Sequence, residues 1–199
     1  MASLRRRGFL SVAGGAVAAL SGCVSNGITG SRRAFDTTVY VGSYHWGFIL
    51  VDDTGTEHDR ITFDSGDSVE IVAFNTSAET ALEKLPAAVR EAIPDHETLE
   101  ERNEERIPPP SNGDLHDVLE EANEKYPDHS LAVMPSGRNM GHMGEGGMML
   151  RPIPLPADAT STTTARLSAS ERGDYTPICH TDCGYGHDYM YLDGAFVVE

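Results

Sequence analysis

An all-β sandwich interrupted by a helical segment is the fold that these 199 residues predict, on three observations. Runs of β-forming residues bounded by turn residues occupy 37–75 and return over 128–199. Between them, over about 78–127, Leu, Ala and Glu recur at helical spacing. The first 35 residues have the composition of a leader and a tether, which leaves one domain, 36–199, with an insertion.

The N-terminus carries Arg5-Arg6-Arg7-Gly8-Phe9-Leu10 and then a short apolar stretch from Val12 to Leu20. That stretch is too short to span a bilayer as a helix, so residues 1–22 read as a signal peptide. The arginines resemble a twin-arginine export signal, and Leu20-Ser21-Gly22-Cys23 resembles a lipobox in which Cys23 is lipidated. A plain signal cut elsewhere is the alternative. Residues 23–35, with Ser, Asn and Gly, then form a flexible tether to a cell membrane. A single lipid gives weak attachment, so firm docking calls for a protein partner.

Thr37 to Val41 and Gly47 to Val51 read as strands separated by Ser43-Tyr44-His45. Arg60 to Phe63, the turn Asp64-Ser65-Gly66-Asp67 and the run Ser68 to Asn75 follow, in the pattern of an antiparallel sandwich. In the insertion, helices are expected over Ala78–Ile93, Asp95–Ile107 and Asp114–Tyr126, separated by Pro94 and Pro108-Pro109-Pro110. The first and third have an apolar stripe wide enough to lie on the sandwich; the middle one is mostly a solvated acidic face. Asp128 to Val133 reads as a strand opening. Ser136 to Pro156 is a Gly/Met loop holding Met140, His142, Met143, Met148 and Met149. Thr162 to Leu167, Tyr175 to Ile178 and Gly194 to Val198 close the sheet pattern. The methionines of the loop are read as adaptable packing or partner contact, with transient Cu(I) binding as the rival.

Charge excludes one class of partner. Thirty-one acidic against fifteen basic residues leave −16, and loss of residues 1–22 takes this to −19 by removing three arginines and no acid. Such a surface repels the phosphate backbone, so no nucleic acid is expected. Only Lys84 and Lys125 are lysines, a balance that suits solubility in concentrated salt and a halophilic source. At molar salt the screening length is about 3 Å, so charge steering of a partner is weak.

The chemistry lies near the C-terminus, in Cys179-x₃-Cys183-x₃-His187-x₂-Met190. Two thiols, an imidazole and a thioether in twelve residues form a soft S/N donor set of the kind copper prefers. Gly184 and Gly186 supply the backbone freedom of a tight loop. A Cys179–Cys183 disulfide, a single-copper site and a Cys₂His zinc site remain open on the residues alone.

This string closely resembles the copper loop of the CuA domain of cytochrome c oxidase subunit II, which also occurs in nitrous oxide reductase. Tyr44-His45-Trp46-Gly47-Phe48 followed by a Gly-Asp turn and a β-run resembles that domain's opening strands. The resemblance covers roughly residues 37–77 and 128–199. It implies a cupredoxin-like Greek-key sandwich whose cofactor is two copper ions. In that arrangement Cys179 and Cys183 bridge, His187 terminates one copper, Met190 is a long ligand, and the Thr181 carbonyl completes the loop's set. Most oxidase subunits carry Glu where Thr181 stands. His129, in Asp128-His129-Ser130-Leu131, matches the context of the remaining imidazole, and His142 is its rival. The histidines at 45, 58, 96, 116 and 180 read as surface residues; Trp46, Tyr185 and Tyr189 are candidate surface aromatics for electron entry, with core packing the favoured role of each singly.

What the resemblance implies for function is extracytoplasmic single-electron transfer, as an oxidase's subunit II-like electron-entry point or a free-standing carrier. The chain would not be catalytic alone, since every plausible ligand is spent on one site. Its partners would be a redox donor, a small copper protein or cytochrome c, and an oxidase subunit I. A copper delivery or storage protein, or a mononuclear cupredoxin, is the alternative. The helical insertion and the lack of an apolar run long enough to span a bilayer depart from the family's usual pattern.

Overall fold

The computed structural model describes residues 35–137 and 149–199. The leader, the tether with Cys23, and the loop carrying Met140, His142, Met143 and Met148 lie outside the described residues. Among the described residues no helix is long and apolar enough to cross a membrane.

Among the described residues, nine strands form two sheets facing each other across an apolar core. The first contains, in spatial order, β2 (Gly47–Asp52), β1 (Thr37–Tyr44), β4 (Ser68–Asn75) and β7 (Thr163–Ser168). The second contains β3 (Ile61–Phe63), β9 (Phe196–Val198), β8 (Gly173–Ile178), β5 (His129–Pro135) and β6 (Leu150–Leu155). Both sheets are mixed. β1 pairs with β4 and β3 with β9 in parallel, while the remaining pairings are antiparallel. The purely antiparallel expectation fails because the chain leaves the first sheet after β2, runs through β3 in the second, and re-enters beside β1. The result is a cupredoxin-like β-sandwich.

Alternation explains which side each strand buries. Val39, Val41, Phe48, Leu50, Val69, Ile71 and Ala73 face the second sheet. Their neighbours Tyr44, Ile49, Val51 and Phe74 point outward, yet are also buried. What covers them is the insertion: Leu85, Val89 and Leu99, from α1 (Glu79–Leu82), α2 (Ala87–Glu91) and α3 (His96–Arg106) and the turns between them, join that outer cluster. The fourth helix, α4 (Leu115–Lys125), places Leu115, Leu119 and Ala122 in the main core instead. The single helix expected over 78–93 is two short ones, because Pro86 interrupts the hydrogen-bond ladder and stands as the cap of α2. Asp95 and Asp114 start α3 and α4 by accepting from the amides of Thr98 and Asp117.

The strand β6 was not expected. It lies where the Gly/Met loop was assigned, and Pro152 and Pro154 mask its β-character in the sequence. Because β6 is an edge strand paired with β5 alone, prolines there forfeit no ladder bond that a further strand would need.

Phe196 is fully buried and packs edge-on against Phe63, with ring centroids 5.6 Å apart. Phe196→Ala is therefore expected to destabilise the protein by about 3–5 kcal/mol. A urea-denaturation midpoint that drops without a change in slope would show this as a loss of core packing.

Candidate metal centre

Two chain segments meet at one end of the sandwich. β8 runs into Cys179, and the loop turns through Gly184, whose φ of +91° is in the left-handed region. A single 3₁₀ turn over His187–Tyr189 follows and ends at Met190. The loop is closed on itself: Cys179 N–H donates to Met190 O at 3.1 Å, and Met190 N–H donates to His187 O at 3.0 Å. Against it stands the first residue of β5, His129, one strand away in the same sheet.

The donor atoms of His129, Cys179 and Cys183 all lie within 4.8 Å of one another, and all three residues are buried. Both cysteines are free thiols. Around them the loop brings further donors: His187 Nδ1 lies 3.4 Å and Met190 Sδ 3.5 Å from Cys183 Sγ. Thr181 has an exposed side chain, and its carbonyl sits 3.2 Å from Cys179 Sγ. The rival imidazole, His142, and the lipidation candidate, Cys23, lie outside the described residues.

The protonation of this group follows from its crowding. Cys179 is held well below the ordinary thiol range, chiefly by the hydrogen bond from Cys183, aided by His129, His187 and the Ser130 amide and opposed by burial. Cys183 moves up, because Cys179 takes the charge and burial penalises a second one. His187 is raised by its hydrogen bond to the Cys179 thiolate, against the effect of burial. Ser130 binds both sides of the seam: its N–H approaches Cys179 Sγ at 3.4 Å, and its hydroxyl accepts from His180 N–H at 2.9 Å.

The residues present fit a soft metal ion. Both ring nitrogens of His129 are buried with no hydrogen-bond partner, a costly state for a polar group unless something else ligates it. Together with two buried thiols and a thioether, they make a donor set of copper's preferred type.

Several neighbours of this group escaped the sequence reading. Trp46 is 0% exposed, in keeping with core packing rather than a surface aromatic for electron entry, and its indole N–H donates to Cys183 O at 2.7 Å. Gly186 has no side chain because the indole occupies its place: a Cβ there would overlap the Trp46 ring. Tyr185 is exposed and stands edge-on to Trp46, with centroids 6.1 Å apart. Tyr189 is half-buried in the 3₁₀ turn. Arg106 of α3 donates to the carbonyls of Trp46 at 2.7 Å and Tyr189 at 3.3 Å. His45, also expected at the surface, is 6% exposed. It follows a cleanly alternating β-run and precedes Trp46 and Gly47, which was the only signal of a tight, buried turn. His58, His96, His116 and His180 are not buried, and the first three meet carboxylates in surface pairs worth little each.

The class of molecule this defines is a cupredoxin-like sandwich with a buried His/Cys/Cys cluster able to hold a soft metal ion. No family model and no curated protein matches the chain. Among solved structures, it is similar to the periplasmic domain of cytochrome oxidase subunit II of Bradyrhizobium japonicum, at 10% identity over 83% of this chain and 85% of that one, with a TM-score of 0.41. It is also similar to a chain of a heme-copper terminal oxidase dimer, at 15% identity over 82% of this chain and 65% of that one, with a TM-score of 0.37. At such identities a likeness says nothing about which side chains fill the site.

Burial, followed by the charge of His129, pushes the His45 imidazole down to about 4, against the opposing carbonyl contacts of Tyr126 and Ala122. The folded state therefore keeps it neutral where the unfolded chain protonates it. As pH falls from about 6.5 to about 4, the metal-free protein should lose on the order of 3 kcal/mol of stability through this group. Urea midpoints across that window should fall more steeply for the native chain than for His45→Gln. Parallel curves would assign the acid sensitivity to other groups.

Proposed function

We propose that this chain is an extracytoplasmic single-electron carrier that holds two copper ions as a CuA centre. It serves as an oxidase's subunit II-like electron-entry protein or as a free-standing carrier. Cys179, Cys183, His187, His129, Met190 and the Thr181 carbonyl are the groups that would hold the metal. A copper pair so bound supplies one-electron storage and release at one delocalised centre.

The observation that carries this reading is the surplus of soft donors around one thiol pair. His129 joins Cys179 and Cys183 in a group whose donor atoms lie within 4.8 Å. His187 stands outside that group, yet its Nδ1 is 3.4 Å from Cys183 Sγ. Two imidazoles therefore share the thiol pair without sharing one point, and Met190 adds a thioether on the Cys183 side. A single tetrahedral ion has no use for so many donors.

The chain's own residues supply what electron transfer needs, namely donors that hold their places. His129 opens a sheet strand and Cys179 directly follows one. Trp46, Ser130 and the loop's internal hydrogen bonds fix the segment between. Burial of both thiols and of Met190 keeps water from competing. Of the two imidazoles, His187 alone is half-exposed, which makes it the natural contact for a partner. The leader and Cys23 support export and lipid anchoring at the outer face of a cell membrane. The acidic, lysine-poor composition supports a halophilic setting. The partners of this reading are a donor protein, either a small copper protein or cytochrome c, and an oxidase subunit I.

Copper-loaded protein should contain two coppers per chain and give a mixed-valence electron-spin signal split by both nuclei. Cys183→Ser should abolish that signal and leave at most one copper. A blue, single-copper spectrum from the native chain would overturn the dinuclear reading.

A further inference from the structure

The side chain that meets His129 ring to ring is another histidine. His45 sits in the turn between β1 and β2, with its ring edge-on to that of His129, centroids 4.5 Å apart and planes at 72°. Since His129 makes no hydrogen bond through either nitrogen, its ring plane is set by packing. A metal-binding histidine ordinarily has its second nitrogen held by a carboxylate or carbonyl, and loss of that partner costs 10–100-fold in metal affinity. Here no such partner exists among the described residues, and the neighbouring imidazole stands in that place.

His45 is itself held at two points, and both belong to the helical insertion. Its Nε2–H donates to the Tyr126 carbonyl at the end of α4, at 3.0 Å. Its own carbonyl accepts from Nδ2 of Asn103, a buried side chain on α3. A small cavity of about 40 Å³, lined by apolar residues such as Leu99 and Leu119 as well as by His45, Asn103 and Asn123, lies between insertion and sheet. It is large enough for a water molecule.

We infer that His45 is a positioning residue for the metal centre: α3 and α4 grip it by main chain and ring, and it in turn sets the plane of the His129 ring. The insertion thereby acts on the site from outside the loop that carries the sulfur donors. This assignment rests on the reading of His129 as a ligand.

The test compares the native chain with His45→Ala, His45→Phe and Asn103→Ala, and with Arg102→Ala as a control. Arg102 lies on the same helix as Asn103, pairs with exposed Glu57 of the β2–β3 connection, and is no part of the centre. In the metal-free proteins, ¹⁵N and ¹³C signals of the His129 ring report its orientation without copper. One sharp set is expected in the native chain and the control, and exchange-broadened sets in His45→Ala and Asn103→Ala. After copper loading, release to a strong chelator should be at least tenfold faster in those two variants, with altered histidine nitrogen couplings and unchanged Arg102→Ala. His45→Phe keeps a ring but loses the anchor to Tyr126, so its release rate should fall between, and it stands in if the alanine variant does not fold. Native-like His129 signals and native release rates in all three site variants would overturn the inference. Copper stoichiometry of the native chain is read separately: one ion per chain would remove the dinuclear reading while the ring signals still decide the role of His45.

Discussion

Everything at the candidate metal site of this molecule leans on the indole of Trp46. It is fully buried, donates to the carbonyl of Cys183, and fills the space against Gly186 that any side chain would take. The cysteine loop is therefore moulded on a residue from the opposite sheet's hairpin. Without that donor, Cys183 would present a buried acceptor with nothing to bind, a cost of about 1–3 kcal/mol. The second cysteine's position would then be set by a short, glycine-containing loop alone. Arg106 secures the arrangement from the other side by holding the carbonyls of Trp46 and Tyr189 together.

The same end of the fold tolerates polar groups that a purely structural core would not. His129 has two unpartnered nitrogens, and two thiols are crowded together in a buried space. These are local violations of good packing chemistry, and such violations collect where a protein binds something. Here they are surrounded by unusually firm support: a sheet on each side, a loop cross-linked by its own backbone, and helices laid over the outer face of β1, β2 and β4. A site whose donors hardly move is what the proposed single-electron exchange would demand. The insertion completes that support by covering apolar side chains the first sheet turns outward.

How legible all this was depends on the range of the interaction. Ser68–Asn75 reads as a strand and is one, because alternation and a Ser-Gly-Asp turn are local facts. Asp95 and Asp114 announce the starts of α3 and α4 for the same reason. By contrast, Leu150–Leu155 carries prolines that argue against a strand, and only its edge position makes them harmless. His45 was misplaced at the surface, and the burial of Trp46 was read without its partner, since an aromatic beside a glycine fits an exposed turn as well as a buried one. What buries them is the loop over Cys183–Gly186 and the helices of the insertion, far away in the chain.

The sequence by itself therefore determined the donor types and the spacing of Cys179, Cys183, His187 and Met190, the alternation that makes β-strands, and the helix starts. Each of these is a property of a few consecutive residues and of elementary backbone geometry. Only the tertiary structure decided that His129 meets the thiol pair, that β1 and β4 run parallel, and that His45 stands between the helical insertion and the centre. Those contacts join segments dozens of residues apart, and which distant faces meet depends on how the whole sandwich packs.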